Sequence, residues 1–277
     1  MKADCHMHMI LDGVEWRAAI ARHAQTPDIP FIRRTLEVYR ARGYTYLRDG
    51  GDRWGAGAAA RDLAPEYGIT YRTPLAPLCL QGHYGSFIGA VYADPGEYAR
   101  LVVSHRQKGA DFIKIMISGL MDFDRFGVLT EPGLEPGLIR QLIHIAHEEG
   151  MAVMAHANGA RTMEAAAIAG VDSIEHGAYA DGDALRAMEE NRTVWVPTLS
   201  TIGNLRGTGR FSETDVARIL ESAQQNLADY RGLVASGTDA GAWAVPHGSE
   251  TELPLLAQAG ITPERLAEGT AVILEKF

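Results

Sequence analysis

The sequence predicts an α/β fold, and within that class a single (β/α)8 TIM barrel, on three observations. Short runs rich in β-branched residues alternate with helical stretches along the chain, the rhythm of βαβ units on a parallel sheet. Eight such units occupy the 277 residues, the size of one barrel domain. No Gly-rich dinucleotide fingerprint follows the first strand, which sets aside an open doubly wound sheet.

The strands are expected at Ala3–Ile10, Tyr44–Asp49, Thr70–Cys79, Asp111–Ser118, Met151–His156, Ser173–His176, Val194–Leu199 and Val234–Asp239. Between them the helices are expected at Phe31–Arg42, Gly55–Glu66, Pro95–Lys108, Glu135–Glu149, Ala160–Ala169, Asp181–Glu190, Glu213–Gly232 and Glu250–Ala259. In the fourth helix Leu138, Leu142, Ile145 and Ala146 recur at helical spacing, a face for packing on the sheet. Gly43, Gly68, Gly109, Gly150 and Gly170 stand just before strands, where a left-handed cap ends a helix. The long irregular pieces Leu11–Pro30, Leu80–Asp94, Gly119–Gly133, Thr201–Ser212 and Gly241–Ser249 all follow strands. In a barrel those loops stand on the C-terminal face, where active sites are built.

With 46% hydrophobic and 22% charged residues the composition is that of an ordinary globular protein. The net charge of −9 is spread without a basic block, which argues against nucleic acid as a partner. No apolar run approaches the roughly 20 residues that span a bilayer, so no membrane partner is expected. The first strand begins so early that no signal peptide is expected, and Cys5 and Cys79 alone imply no disulfide framework. A cytoplasmic enzyme with a small-molecule substrate is the expectation, with self-association into a homo-oligomer left open.

His6 and His8 project from the same face of the first strand, and two neutral imidazoles there suit one transition-metal ion. Alone the pair is a weak signal; Lys114, His156, His176 and Asp239 strengthen it, because each belongs to a strand end. In Asp111–Ser118 three isoleucines share one face, and Lys114 falls on the inward one. A buried lysine requires either an ion pair with a carboxylate such as Asp239 or Asp4, or conversion by carbon dioxide to an anionic carbamate. Asp239 suits both a metal ligand and a proton shuttle from bound water to a leaving group.

His6-X-His8, Lys114 in IKIMISG, His156 in AHANG, His176 in SIEHG and Asp239 in GTDAG together resemble the amidohydrolase superfamily. More narrowly they are similar to its imidazolonepropionase/prolidase-like branch, as are YLRDGG at Tyr46–Gly51, QGHYG at Gln81–Gly85 and GITPERL at Gly260–Leu266. The resemblance implies that His6, His8 and Asp239 hold one divalent ion and that His156 and His176 hold a second. Carbamylated Lys114 and a hydroxide would bridge the two, with zinc the default metal and Asp239 and His176 catalytic. It also implies that His83 faces the substrate. Asn158 stands where prolidase-like members often carry a carboxylate-binding tyrosine, and Arg125 is then the candidate for an anionic substrate group. Arg48 and Asp49 are expected to form an internal salt bridge, and His105, His144 and His147 to face solvent on their helices. The accessory β-sandwich of many relatives has no counterpart, so residues 1–277 are expected to form one domain.

The leading expectation is a metal-dependent hydrolase of a C–N bond in a small cyclic, N-acyl or dipeptide-like amide. The rivals are a lactonase or phosphotriesterase on the same binuclear site, a mononuclear deaminase or decarboxylase, and a barrel that only binds a ligand. The mononuclear reading leaves Lys114 without a task. Fold alone licenses none of these.

Overall fold

The computed structural model describes residues 2–277. In chain order the elements are β1 (Lys2–Met7), α1 (Trp16–Arg22), α2 (Ile29–Ala41), β2 (Tyr44–Asp49) and α3 (Ala56–Leu63), the last continued by one 3-10 turn. Next come β3 (Thr70–Arg72), β4 (Leu78–Leu80), β5 (Ala90–Tyr92), α4 (Pro95–Gln107), β6 (Ile113–Met116) and α5 (Pro136–Glu148). The second half holds β7 (Val153–Ala157), α6 (Ala160–Ile168), β8 (Ser173–His176), α7 (Gly182–Glu190), β9 (Val194–Val196), α8 (Ser200–Gly203), α9 (Glu213–Asp229), α10 (Glu252–Gln258) and α11 (Pro263–Lys276).

All ladders are parallel, in a three-stranded sheet β1-β2-β3 and a six-stranded sheet β5-β4-β6-β7-β8-β9. The expected third strand is real at both ends but interrupted between Arg72 and Leu78. Pro74 and Pro77 have no N–H to give a ladder, and Leu75 between them takes a left-handed φ of 65°. β3 therefore pairs with β2 while β4 pairs with β6, so the two sheets share one course of chain. At the other edge the expected eighth strand makes only isolated bridges, Trp195 to Val234 and Met7 to Ala240. It still bonds both neighbours: Ala235 N donates to Trp195 O (2.9 Å), Cys5 N to Ser236 O (2.8 Å) and Asp239 N to His6 O (2.7 Å). The left-handed φ of 55° at Asp239 breaks the pleat there.

The period-two reading of β6 holds. Ile113, Ile115 and Ile117 are buried against Ile139, Leu142, Ile143 and Ala146 of α5. That helix face lies one position from the expected one, so Leu138 and Ile145 are only partly buried. Inside the strands a second cluster joins Cys5, Tyr46, Phe112, Met154, Val194 and Val196 to Ile273 and Phe277 from the end of α11. Helix starts follow side-chain caps: Asp94 accepts from Glu97 N (2.9 Å), Ser212 from Asp215 N (3.3 Å) and Thr262 from Arg265 N (3.4 Å). Among the described residues no helix is long and apolar enough to cross a membrane.

Candidate active site

β1 brings His6 and His8 to one face, with their Nε2 atoms 3.3 Å apart. Asp239 Oδ1 lies 3.6 Å from the first and 3.4 Å from the second. The tautomer of His6 is set from behind. Its Nδ1–H donates to Glu175 Oε2 (2.7 Å), leaving the Nε2 lone pair free to face inward. Glu175 is anchored in turn by Arg48 Nη2 (2.9 Å) and Ser173 Oγ (2.6 Å), and Arg48 Nε donates to Cys5 O (2.7 Å). Both Arg48 and Glu175 are fully buried, so the guanidinium and carboxylate neutralise each other where neither stands alone.

Parallel register places the remaining groups. Met116 of β6 lies opposite His156 of β7, and Ala157 lies opposite His176 of β8. The His156 and His176 rings are 4.6 Å apart by centroid, and the His176 and His6 rings 5.0 Å. His156 Nε2–H donates to Gly119 O (3.2 Å), and His176 Nδ1 is hydrogen-bonded to Thr198 Oγ1 (2.7 Å). Each ring thus keeps its other nitrogen unengaged. His176 and Asp239 both carry left-handed φ, 68° and 55°, a conformation non-glycine residues adopt at a cost.

Burial makes the cluster electrically unusual. It holds His8 and His156 neutral, with pKa values of about 3, and puts His6 and His176 well below 6.5. The Lys114 charge adds to that effect on His6, His8 and His156, so Lys114 shares their space. Burial also lowers Lys114 itself and raises Asp239. Among the described residues no carboxylate lies within salt-bridge distance of the Lys114 ammonium, so neither Asp239 nor Asp4 supplies the expected pair. Asp4 instead accepts from Thr238 N and Oγ1, at 2.9 and 2.6 Å.

The donor set fits a divalent ion. Asp239 Oδ1 is buried without a hydrogen-bond partner, facing two imidazole nitrogens, an arrangement that an N–H donor does not satisfy. Donors held at 2.0–2.1 Å around a tetrahedral ion sit about 3.3 Å apart, close to the spacing found here. His6, His8 and Asp239 form the metal-capable group that the ligand atoms define. A Cβ on Gly50 would come within 2.1 Å of the His8 ring, so this glycine gives the imidazole its room.

Above the cluster opens a cavity of about 740 Å³. His6, His8, Lys114, His156, His176, Asp239 and Asn158 all reach it. Asn158 has little left for a ligand, since its Nδ2 donates to Gly119 O (3.0 Å) and its Oδ1 accepts from Ala178 N (2.9 Å). The structure does not bring His83 or Arg125 to the cavity. His83 turns toward Glu131, with Nδ1 3.7 Å from its carboxylate, and Arg125 pairs with Asp122 on the surface. Tyr84 enters in place of its neighbour, with its ring 4.9 Å from that of His156. Glu131 selects between them by accepting from Tyr84 N (2.6 Å). Arg17 and Arg210, from loops where no site residue is read in the sequence, are the arginines that line the cavity. Arg48 does form an internal salt bridge, but with Glu175, while Asp49 accepts from Thr73 Oγ1 (3.1 Å). His105 corrects another expectation. It is buried between Leu101 O and Ala76 O, whereas His144 is exposed beside Glu148 and His147 pairs with Asp172.

The chain is similar in sequence to an ochratoxinase and in fold to a Xaa-Pro dipeptidase and an amidohydrolase, in keeping with the resemblance in its motifs. No family model matches the sequence. Ochratoxinase of Aspergillus niger is 26% identical over 312 aligned residues, which cover 97% of this chain and 63% of that protein. The chain therefore spans less than two thirds of the length of the curated relatives it matches. The crystal structure of that ochratoxinase superposes with a TM-score of 0.77 at 21% identity, covering 96% of this chain and 68% of the other. A Xaa-Pro dipeptidase with methionine in its active site gives 0.75 at 22%, covering 96% and 72%. At these identities the two structures establish a shared fold.

Proposed function

We propose that the chain is a metal-dependent hydrolase that cleaves the C–N bond of a small N-acyl amide or dipeptide-like substrate. We also read the circuit of parallel pairings as a closed (β/α)8 barrel formed by residues 1–277 as one domain. The observation that carries the reading is the convergence of His6, His8, His156, His176, Lys114 and Asp239 on one cavity floor from five separate strand segments. The names of the relatives, ochratoxinase and Xaa-Pro dipeptidase, support an amide as substrate.

His6, His8 and Asp239 would hold one divalent ion, and His156 and His176 a second, with zinc the default for such ligands. Bound there, the ions supply an acidified water and polarisation of the substrate carbonyl. Burial keeps the four imidazoles neutral, the state in which they donate lone pairs. It also favours the neutral amine of Lys114, the form that reacts with carbon dioxide to a carbamate. Asp239, whose raised pKa suits a proton carrier, takes a proton from the attacking water and returns it to the leaving nitrogen.

Metal content and turnover test the proposal together. Purified protein should carry close to two divalent ions per chain and cleave members of a panel of N-acyl amino acids and dipeptides, with loss on chelation and recovery on metal addition. Asp239→Asn should abolish turnover while the protein stays folded. Near-normal rates in that variant, or full activity without metal, would overturn the reading.

A further inference from the structure

Glu252, the first residue of α10, takes no part in the proposed chemistry, yet its carboxylate is buried, with 1% of the residue exposed. A carboxylate is kept from water only where donors replace the hydration it loses. Here they all come from one short turn that follows β9. Leu199 N donates to Oε1 (3.0 Å), while Ser200 N (2.7 Å) and Ser200 Oγ (2.8 Å) donate to Oε2. Thr251 Oγ1 donates to Ser200 Oγ (3.0 Å) and is hydrogen-bonded to Ser249 Oγ (2.9 Å), so the approach to α10 closes on the same turn.

The residue that this clamp fixes is Thr198. Its φ of 49° is left-handed, a conformation that a β-branched side chain keeps only where its surroundings enforce it. The two amides after it are held by Glu252, and its own carbonyl accepts from Thr201 N (3.0 Å) and Thr201 Oγ1 (2.8 Å). Thr198 is fully buried, and its Oγ1 lies 2.7 Å from His176 Nδ1. Asp239 Oδ2 stands 4.0 Å from the same nitrogen. Two oxygens facing Nδ1 favour the tautomer with the proton there, which leaves the Nε2 lone pair free. The backbone of His176 is fixed separately, since Trp195 Nε1 donates to its carbonyl (3.0 Å).

We infer that Glu252 is a positioning residue for His176: through the strained turn at Thr198 it holds Oγ1 where it accepts from His176 Nδ1, and so readies Nε2 for a divalent ion. Glu252 does not line the cavity, and its hydrogen bonds reach His176 only by way of Thr198. The inference rests on the reading of His176 as a metal ligand. Without the clamp Thr198 relaxes from its left-handed backbone, Oγ1 leaves Nδ1, and the proton spreads over both ring nitrogens. A carboxylate that only docked α10 would support stability and leave that proton where it is.

Two measurements on the full-length protein tell these roles apart. In chelator-treated, isotope-labelled protein, long-range proton–nitrogen correlation spectra at one pH show which nitrogen of His176 carries the proton; its signals are those that His176→Gln removes. We expect Nδ1–H in the wild type and in Thr198→Ser, and a mixture of tautomers in Thr198→Val and in Glu252→Gln. The second measurement is zinc affinity, by competition with a chromogenic chelator, for the ion that His176→Gln loses. Thr198→Val and Glu252→Gln should each weaken it about tenfold, and Thr198→Ser by less than about twofold. The variant carrying both changes should bind no more weakly than the weaker single variant, because both cut one connection. Additive losses would overturn the inference. So would a Glu252→Gln protein that unfolds at lower urea with tautomer and affinity unchanged, or the wild-type tautomer in Thr198→Val. If Glu252→Gln does not fold, Ser200→Ala makes a milder cut in the same clamp. It should cost about threefold alone and nothing further beside Thr198→Val, and an added loss there would overturn the inference equally. Should the wild type bind no zinc, the metal reading fails and the tautomer still judges the clamp. If amides are cleaved while Thr198→Val and Glu252→Gln keep affinity and tautomer, the clamp fails and the hydrolase reading stands.

Discussion

At the scale of single residues, what the sequence disclosed followed from geometry that a strand imposes on its own side chains. His6 and His8 share a face because they are two apart, and Lys114 points away from its isoleucine neighbours for the same reason. Glu175 was missed, although it sits one residue before His176. Its bond to His6 Nδ1 depends on β1 and β8, which do not pair, facing each other across the interior. Tyr84 was missed because QGHYG places two rings side by side in a glycine-flanked turn, and only Glu131, from another loop, decides which one enters. Arg125 is the arginine that the sequence offers for an anionic substrate group, yet Asp122 three residues earlier captures it. The buried Arg48–Glu175–His6 series makes a sharp prediction. Glu175→Gln leaves the Arg48 charge uncompensated in a dry interior and should lower stability by about 3–5 kcal/mol in urea unfolding. The same change releases the His6 tautomer and should weaken metal binding by about 10–100-fold in a competition assay with a chelator. Unchanged affinity would show that His6 needs no support from behind.

At the scale of elements, long amphipathic helices and bare strands were legible, since their periodicity is set by burial on one face. The failures are segments whose structure comes from tertiary neighbours. The short strand β5 exists because Leu78–Leu80 offers it a partner, and α1 forms inside a loop too short to show a period. Residues of the expected eighth strand lie in place between β9 and β1 but do not keep strand pleating, because Asp239 turns left-handed to face the histidines. The helix α11 carried a readable start, Thr262 before Pro263, and was not assigned. It is structurally consequential, because its Ile273 and Phe277 fill the interior beneath Arg48, whose guanidinium stands 4.4 Å from the Phe277 ring. Ile273→Ala should therefore cost about 2–5 kcal/mol, the range for a fully buried aliphatic side chain, measured by denaturant titration. A cost below about 1 kcal/mol would mean that α11 is peripheral to folding.

At the scale of the whole molecule, neutral buried histidines set the response to acid. Burial lowers His8 and His156 to about 3 and His247 to about 4, and holds His6 and His176 well below the ordinary 6.5. A depressed histidine binds fewer protons folded than unfolded, so stability is complete above pH 6.5 and is lost as pH falls below it, by up to about 1.4 kcal/mol per pH unit per histidine. Buried carboxylates act in the opposite sense. Asp49 and Glu252 are raised to about 7 and Asp4 to about 6, so their contribution declines as pH rises through those values. Chelator-treated protein should therefore lose stability from about pH 6.5 downward, a loss that the raised carboxylates, Asp239 among them, partly offset. His247, bonded through Nε2 to Leu11 O (2.9 Å), is not one of the metal-capable residues, so it reports the acid response of a histidine that holds no ion. His247→Gln should flatten the acid limb of a melting-temperature profile; an unchanged slope would place the sensitivity elsewhere. The contact between Glu131 and the Tyr84 amide has its own reach. It fastens the turn at residues 81–85 to the loop at residues 119–133, so the two behave as one exchangeable cassette. A graft that moves either piece alone onto a related scaffold would separate clasp from buckle, and only the pair would carry the inward tyrosine with it.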